Sequence, residues 1–530
     1  MTYRKLKAVG ALLATAMFAV ACNGDKLTSI NRNPNNPEDV PAGSLFTSAT
    51  QRSVNSWLGG GYDLRGTEFV IQHLAEVQYP DEDRYARLTG GSTTGYFDNP
   101  YIQQLKDFAI VVDKGTAATE AGVYGPALVM RTWNFAYLTN TWGDIPYFDA
   151  LKGDAPTGSL SPKYDPQKDI YADFFVSLAK ASTDMSSGSG SLADGDPVYA
   201  GDLPSWIRFS NSLRARYALQ LINVDPAKAN TELTAAFAAT GGVFRSNADN
   251  AELVYPGDGV FNNPWAANFS TRDDHRISVV LMNLMKSKSD PRIAVYAQPT
   301  PSDPTVYKGS PNALTASGMA PYITAASRPG AVFYPGNTAY GFYGGTGNSF
   351  PAFLMTYAEV EFIKAEAAAR GVGAVAGTAA THYAAGITAS MEQWGVTATD
   401  IAAYLARPNV VYAGGTAGLV QIAQEKYVAL FTDGGQAWNE WRRTCIPGTI
   451  QPGSAATQSN VPRRFQYSVT EKSVNAANLT AANTQQGGTD SFSTRMYWDK
   501  SPAAAPTWNP PFGPGATCGV RGQAPSPGAP

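Results

Sequence analysis

Ten aromatic side chains set in Gly-, Asn- and Pro-rich sequence are the residues of this chain best suited to recognition. Trp57 and Tyr62 flank Gly59-Gly60-Gly61, and Tyr79, Tyr85 and Tyr96 follow. Trp265 ends Asn262-Asn-Pro-Trp, and Tyr334, Tyr340, Phe342 and Tyr343 crowd the 331–347 segment. Flat rings with a polar tip stack on sugar faces or grip an extended peptide, and nearby Asn, Asp and Arg supply directional hydrogen bonds. Tyr62, Tyr85, Tyr96, Trp265, Tyr334 and Tyr343 are therefore the ligand-binding candidates. The alternative for each is that it packs its own loop onto the core.

Catalytic parts are sparse. The chain holds no G-x-S-x-G, H-E-x-x-H or Walker sequence. His73, His275 and His382 lie far from one another and from any Cys, and read as surface or packed residues. The carboxylates of Asp81-Glu-Asp83 and Asp273-Asp274 read as solvated acids, with a glycosidase pair as the alternative. Asp194, Asp196 and Asp202 lie in a Gly-containing loop whose oxygens suit Ca²⁺, but they lack EF-hand spacing. No cofactor or metal is otherwise indicated.

The elements that must position these residues begin after an export signal. Arg4, Lys5 and Lys7 head an apolar run, Val9 to Val20, that is too short to span a bilayer and reads as a signal peptide. Cys22 follows Ala21 at once and resembles the acylated cysteine of a bacterial lipobox, although Ala19 stands where Leu is usual. A plain secretory signal is the alternative. Loss of residues 1–21 leaves 37 of the 40 Lys and Arg against 43 acids, so the formal charge moves from −3 to −6. No basic tract suggests nucleic acid. No later apolar run is long enough to cross a membrane, so attachment would come from lipid on Cys22. Cys445 and Cys518, in Pro/Gly-rich surroundings, can bridge in an exported protein or remain two thiols.

Residues 22–45 read as an extended Asn/Pro tether. Beyond it, apolar residues recur with helical period. Tyr171, Phe174, Phe175 and Leu178 share one face, with Asp165-Pro166 ahead as N-cap and first-turn proline. Trp206, Phe209, Leu213 and Tyr217 repeat the pattern, as do Ala358, Phe362, Ala365 and Ala369, and later Ile422, Tyr427, Leu430 and Phe431. Helix pairs at 127–140 with 168–182, and 354–370 with 378–394, have the look of tetratricopeptide hairpins. Loop-like stretches fill 186–204, 241–272, 298–350 and 446–500, and 501–530 is a Pro/Gly-rich tail. The fold class is all-α: a tetratricopeptide-like helical scaffold with long ligand-binding loops.

Several segments, in order, resemble the SusD/RagB family of outer-membrane nutrient-binding lipoproteins. Asn33-Pro-Asn-Asn-Pro-Glu-Asp-Val-Pro41 resembles the lead into its first helix, and Trp142-Gly-Asp-Ile-Pro-Tyr147 its Gly-Asp-Ile-Pro turn. Pro162 to Tyr171 matches the next lead-in, and Trp206-Ile-Arg-Phe-Ser-Asn-Ser-Leu-Arg-Ala-Arg216 its Asn-Ser-Leu-Arg helix. Asp290-Pro-Arg-Ile, Thr356 to Glu366, and Glu425 to Phe431 followed by Trp438-Asn-Glu-Trp-Arg-Arg443 complete the series. The likeness spans about 30–445 and leaves the loops 241–272 and 298–350 unmatched, where ligand choice would lie. It implies a helical domain over 46–500, a SusC-like TonB-dependent outer-membrane barrel as partner, and lipid-anchored residence at the outer membrane. The expected role is non-enzymatic capture of oligosaccharides or peptides. A surface hydrolase and a structural helical-repeat adaptor are the alternatives. Asp144, Asn211, Arg214 and Arg216 are expected to serve structure, and Arg442 and Arg443, beside Trp438 and Trp441, to stack or pair internally, with a phosphate or carboxylate site there as the alternative.

Overall fold

The computed structural model describes residues 40–156, 158–336, 346–499 and 518–522. Its longer helices are α1 (Ala42–Trp57), α2 (Gly90–Ile102), α3 (Gln104–Ala117), α4 (Ala121–Trp142), α5 (Gln167–Met185), α6 (Leu203–Gln220) and α7 (Pro226–Ala238). After the six-residue α8 (Pro264–Phe269) come α9 (Val279–Ser287), α10 (Tyr357–Arg370), α11 (Ala379–Gln393), α12 (Gly415–Ala429), α13 (Gly434–Thr444) and α14 (Ala476–Gln486). Successive helices from α3 to α7 pack pairwise, and α10 packs on both α11 and α12. The fold is helical, as the periodicity predicts. Tyr171, Phe174, Phe175 and Leu178 of α5 are buried, as are Trp206, Phe209, Leu213 and Tyr217 of α6. Burial of such a stripe, more than helix propensity, holds each helix in place.

Three local expectations shift. The predicted tether reaches helix already at Ala42, and the predicted 446–500 loop contains α14 and a short helix, Val469–Val474. Asp165 does not cap α5: its Oδ2 accepts the amides of Tyr147 (3.1 Å) and Phe148 (2.8 Å), while Asp144 Oδ1 accepts the amide of Gln167 (2.9 Å). The two aspartates thus exchange partners across the turn, which an antiparallel bridge between Ile145 and Asp165 also closes. Gly143, at φ +89°, ends α4 there, and a Cβ at that position would meet the Gln486 side chain.

The polar residues of the helical signatures serve packing. Arg216 pairs with buried Glu359, Arg214 with Glu232, and Asn211 donates to the carbonyls of Thr240 and Gly242. The Arg442 guanidinium lies 3.7 Å from the Trp438 ring centre and 4.7 Å from that of Trp498. Cys445 and Cys518 are joined by a disulfide. No helix among the described residues is long and apolar enough to cross a membrane. Cys22 lies outside the described residues.

Candidate ligand-binding site

Two parts of the chain nearly 200 residues apart meet through a short ladder. Strand β1 (Leu74–Glu76) pairs antiparallel with β3 (His275–Ile277), Glu76 opposite His275; β2 (Ala251–Leu253), which precedes β3 in sequence, pairs with β4 (Ala352–Met355), which follows it. The first ladder sets the 62–96 segment against the 264–274 segment. Around the junction stand Arg65, Tyr79, Glu82, Arg87 and Tyr96 from the first, Phe269, Arg272, Asp273 and Asp274 from the second, and Arg328 and Tyr334 from a third.

Glu82 is the hub. Its Oε1 accepts from Arg65 Nε (3.0 Å) and from an Arg87 amino group (2.7 Å), and its Oε2 lies 3.3 Å from Arg272. Arg272 also grips Asp274 through Nε (2.6 Å) and stands over the Tyr79 ring at 4.5 Å. Asp273 accepts from Arg328 Nε (2.6 Å) and from Arg276 (3.1 Å). Beside this network lies an open recess of about 470 Å³, lined by Phe269, Arg272, Asp273, Gln298, Arg328 and Tyr334 among others. The Tyr334 ring stacks on Phe269 at 4.8 Å, which fixes one wall. A much smaller pocket, about 20 Å³, lies among Tyr62, Arg65, Arg87 and Tyr96.

The aromatic candidates divide by burial. Tyr334 and Tyr96 are partly buried and face these recesses, and Tyr79 is 52% exposed. Tyr62, Tyr85 and Trp265 are 2%, 1% and 3% exposed, which corrects their reading as ligand contacts. Tyr62 bonds Thr141 through its hydroxyl (2.6 Å) and meets Trp57 edge-on, and burial holds its phenol above the ordinary range. Tyr85 occupies left-handed backbone at φ +67°. Trp265 packs against Phe333 and Phe431. Rings in Gly-rich sequence here close loops onto the core. Tyr343, with Tyr340 and Phe342, lies outside the described residues.

Of the acidic pairs, Asp81 is exposed and Asp273 partly so, but the other three are not the solvated acids that the sequence suggests. Glu82, Asp83 and Asp274 are buried; burial pushes the Asp83 carboxyl up to about 7. Arg87 and Arg65 lie 5 and 17 residues from Glu82, and Arg272 two from Asp274; what escapes a sequence reading is that Arg272 also reaches Glu82 across 190 residues and Arg328 reaches Asp273 across 55. His73 is buried between Glu68 and a backbone carbonyl, and His382 pairs with Glu361. Asp196, taken as a calcium candidate, accepts three backbone amides and the Trp206 indole; Asp202 caps α6; Asp194 is exposed. Glu76, Asp274 and His275 can each bring a donor atom within 4.8 Å of the others, as a metal would need. Asp274 is already engaged by Arg272 and by His275 Nδ1 (2.8 Å), so positive charge there comes from the protein itself.

Glu76 gives a pH prediction. Its Oε1 accepts three backbone amides, from Val77, Gln78 and Tyr79, and burial, then Asp274, pushes its carboxyl well above the ordinary range. The folded state therefore keeps a proton that the unfolded chain loses above pH ~4.5, and stability contributed by this group falls as pH rises, by up to about 1.4 kcal/mol per pH unit. Glu76→Gln keeps the amide-accepting oxygen and never ionises, so it should flatten the decline. Urea midpoints between pH 5 and 9 that run parallel for the two proteins would disprove this.

A scaffold of paired helices, with a ring- and arginine-lined recess built from the segments inserted between them, defines a helical-repeat fold. The chain belongs to the SusD-like family, described as starch-binding and associating with the outer membrane, whose profile matches residues 34–468. A chitin-binding SusD homolog from Flavobacterium johnsoniae is 25% identical, with a TM-score of 0.73 over 87% of this chain and 99% of that one. A SusD homolog from Bacteroides uniformis is 23% identical, with a TM-score of 0.74 over 87% and 100% of the two chains. One from Bacteroides vulgatus is 23% identical, with a TM-score of 0.72 over 86% and 97%. No curated protein matches the chain significantly.

Proposed function

We propose that this protein is a non-enzymatic lipoprotein of the outer membrane that captures oligosaccharides in the Tyr334–Arg272 recess and delivers them to a TonB-dependent barrel. The recess carries the reading. The partly exposed Tyr334 ring offers a stacking face in the recess, Tyr79 stands beside it against Arg272, and Arg328, Asp273 and Gln298 offer donors and acceptors to hydroxyls. Membership of a family described as starch-binding supports a saccharide over a peptide, as does the chitin-binding relative. Acylation of Cys22 would supply the anchor, and the SusC-like barrel the route inward.

Calorimetry with chito- and malto-oligosaccharides, and with peptides of similar length as controls, tests the reading. Each of Tyr334→Ala and Tyr79→Ala should remove roughly 0.5–1.5 kcal/mol of ring interaction, a several-fold loss of affinity, with helical circular dichroism unchanged. Binding of peptides but no saccharide would overturn it, and release of shortened saccharides by the purified protein would assign a hydrolase instead.

A further inference from the structure

We propose that the small pocket beside Tyr96 is a second subsite of the same ligand site, and that it takes the N-acetyl group of a sugar whose neighbour in the chain lies in the recess. The proposal rests on saccharide capture in the recess and adds the class of saccharide. The two cavities meet at one carboxylate. Arg65 and Arg87, which line the pocket, bond Glu82 Oε1, and Arg272, which lines the recess, lies 3.3 Å from Glu82 Oε2. The half-exposed Tyr79 ring stands over Arg272 at that junction. Pocket and recess thus flank a single acid side chain, a separation that adjoining residues of one saccharide chain span.

Size decides what enters. At about 20 Å³ the pocket admits one group of water or methyl size, since a single such group needs ~10–15 Å³. A sugar ring stays outside, and a substituent carried on the ring goes in.

The walls say which substituent. Leu88 and Phe465, 3% and 1% exposed, form an apolar floor. Tyr62 adds a ring whose hydroxyl is already bonded to Thr141, and the Thr93 hydroxyl donates to a backbone carbonyl. The rim is polar, with Arg65 28% and Arg87 50% exposed. Arg65 gives Glu82 its Nε and one amino group, and Arg87 gives a single amino group, so both keep N–H donors beyond those bonds. Gly61 lets the Tyr96 hydroxyl approach the same wall, where a Cβ would collide with it. The occupant therefore needs a methyl-sized apolar tip and, one bond behind it, an acceptor for a guanidinium. An acetamido group has both, with the Tyr96 hydroxyl available to its N–H. A hydroxymethyl would bring a polar tip to a floor that offers it no partner, and a carboxylate or sulfate would bring charge there.

The test is calorimetry of the full chain with chitotetraose, cellotetraose and tetra-N-propionyl-chitotetraose. The first two share a β-1,4 backbone and differ in the acetamido group, and the third lengthens the acyl tip by one methylene. Chitotetraose should bind about ten-fold or more tighter than either, since it alone seats a methyl on the floor while bonding a charged donor. Ser92→Leu, at an exposed position on the rim, should fill the pocket and bring chitotetraose to within about two-fold of cellotetraose, whose own affinity stays unchanged. Arg87→Gln should weaken chitotetraose several-fold. Tyr334→Ala should weaken both tetrasaccharides alike, because the recess holds a ring of each. If Ser92→Leu loses helical signal, the propionyl comparison on the unaltered protein decides alone. Equal affinity for chitotetraose and cellotetraose, a propionyl probe that binds as well as the acetyl one, or a preference that survives in well-folded Ser92→Leu overturns the acetyl pocket and leaves saccharide capture standing. Binding of malto-oligosaccharides with none of these three probes does the same. No binding of any oligosaccharide overturns both.

Discussion

Replacing Arg443 with methionine is expected to lower the unfolding free energy by about 3–5 kcal/mol, because it strands buried carboxylates rather than removing a surface contact. The Arg443 side chain on α13 is fully buried, and its two terminal amino groups each reach an oxygen of Glu366 on α10 at 2.6 Å. One of them also bonds Glu440 (2.5 Å), which Lys426 approaches to 2.8 Å, and Arg370 shares Glu366. Burial alone would raise the Glu366 carboxyl, yet Arg443 first and Arg370 second hold it below the ordinary carboxylate range. Such a group contributes stability that is fully present above its unfolded value near 4.5 and is lost as pH falls toward the folded one. The gap between wild type and Arg443→Met should therefore be widest near neutrality and narrow below pH ~4.5. Urea midpoints at pH 7 and pH 4 measure both effects. An unchanged midpoint at pH 7 would mean that the methionine packs as well as the ion network it replaces.

That network shows which part of the fold was legible. Helix positions were, because a period of 3.6 is local information: Phe174 and Leu178 need only their own turn to declare a buried face. The Gly143 turn and the stacking of Arg442 on tryptophan were equally readable, since the partners are close in sequence or sit on one helix. The ladder between β1 and β3 was not. Each strand has three residues, too few to show a period of two, and the pairing joins segments some 200 positions apart. The candidate site inherits that opacity. Glu82 and Asp274 look like solvated acids because nothing local shows that Arg272, beside Asp274 in sequence, also reaches Glu82 across 190 residues and makes their burial tolerable. Asp165 reads as a cap from its place before Pro166, while the capping oxygen comes from Asp144 across the turn. Aromatic residues in Gly-rich sequence misled for a related reason: a loop with few other apolar groups uses its ring as the anchor, as Tyr62 and Trp265 do.

Trp265→Ala tests that last distinction and should cost about 3–5 kcal/mol of stability, the range for truncating a large ring in a core. Trp265 is 3% exposed and meets Phe333 at 5.1 Å, Phe431 at 5.8 Å and Phe269 at 6.3 Å, all between ring centres. Its helix is only six residues long and depends on Asn263, whose side chain accepts the Trp265 amide (2.8 Å) and donates to the Phe350 carbonyl (2.9 Å). Alanine would leave a cavity that so short an element fills only by shifting. Phe269, at the other end of α8, would shift with it and carry the Tyr334 stack that walls the recess. Binding should therefore weaken several-fold in Trp265→Ala, but only together with a large fall in the denaturation midpoint. Tyr79→Ala is the contrast: that ring is 52% exposed, and its loss should weaken binding while the midpoint stays within about 0.5 kcal/mol of wild type. Denaturation and calorimetry on the two variants separate a ring that supports the site from one that touches the ligand. If Trp265→Ala loses affinity at unchanged stability, the ring faces the ligand and the packing assignment is wrong.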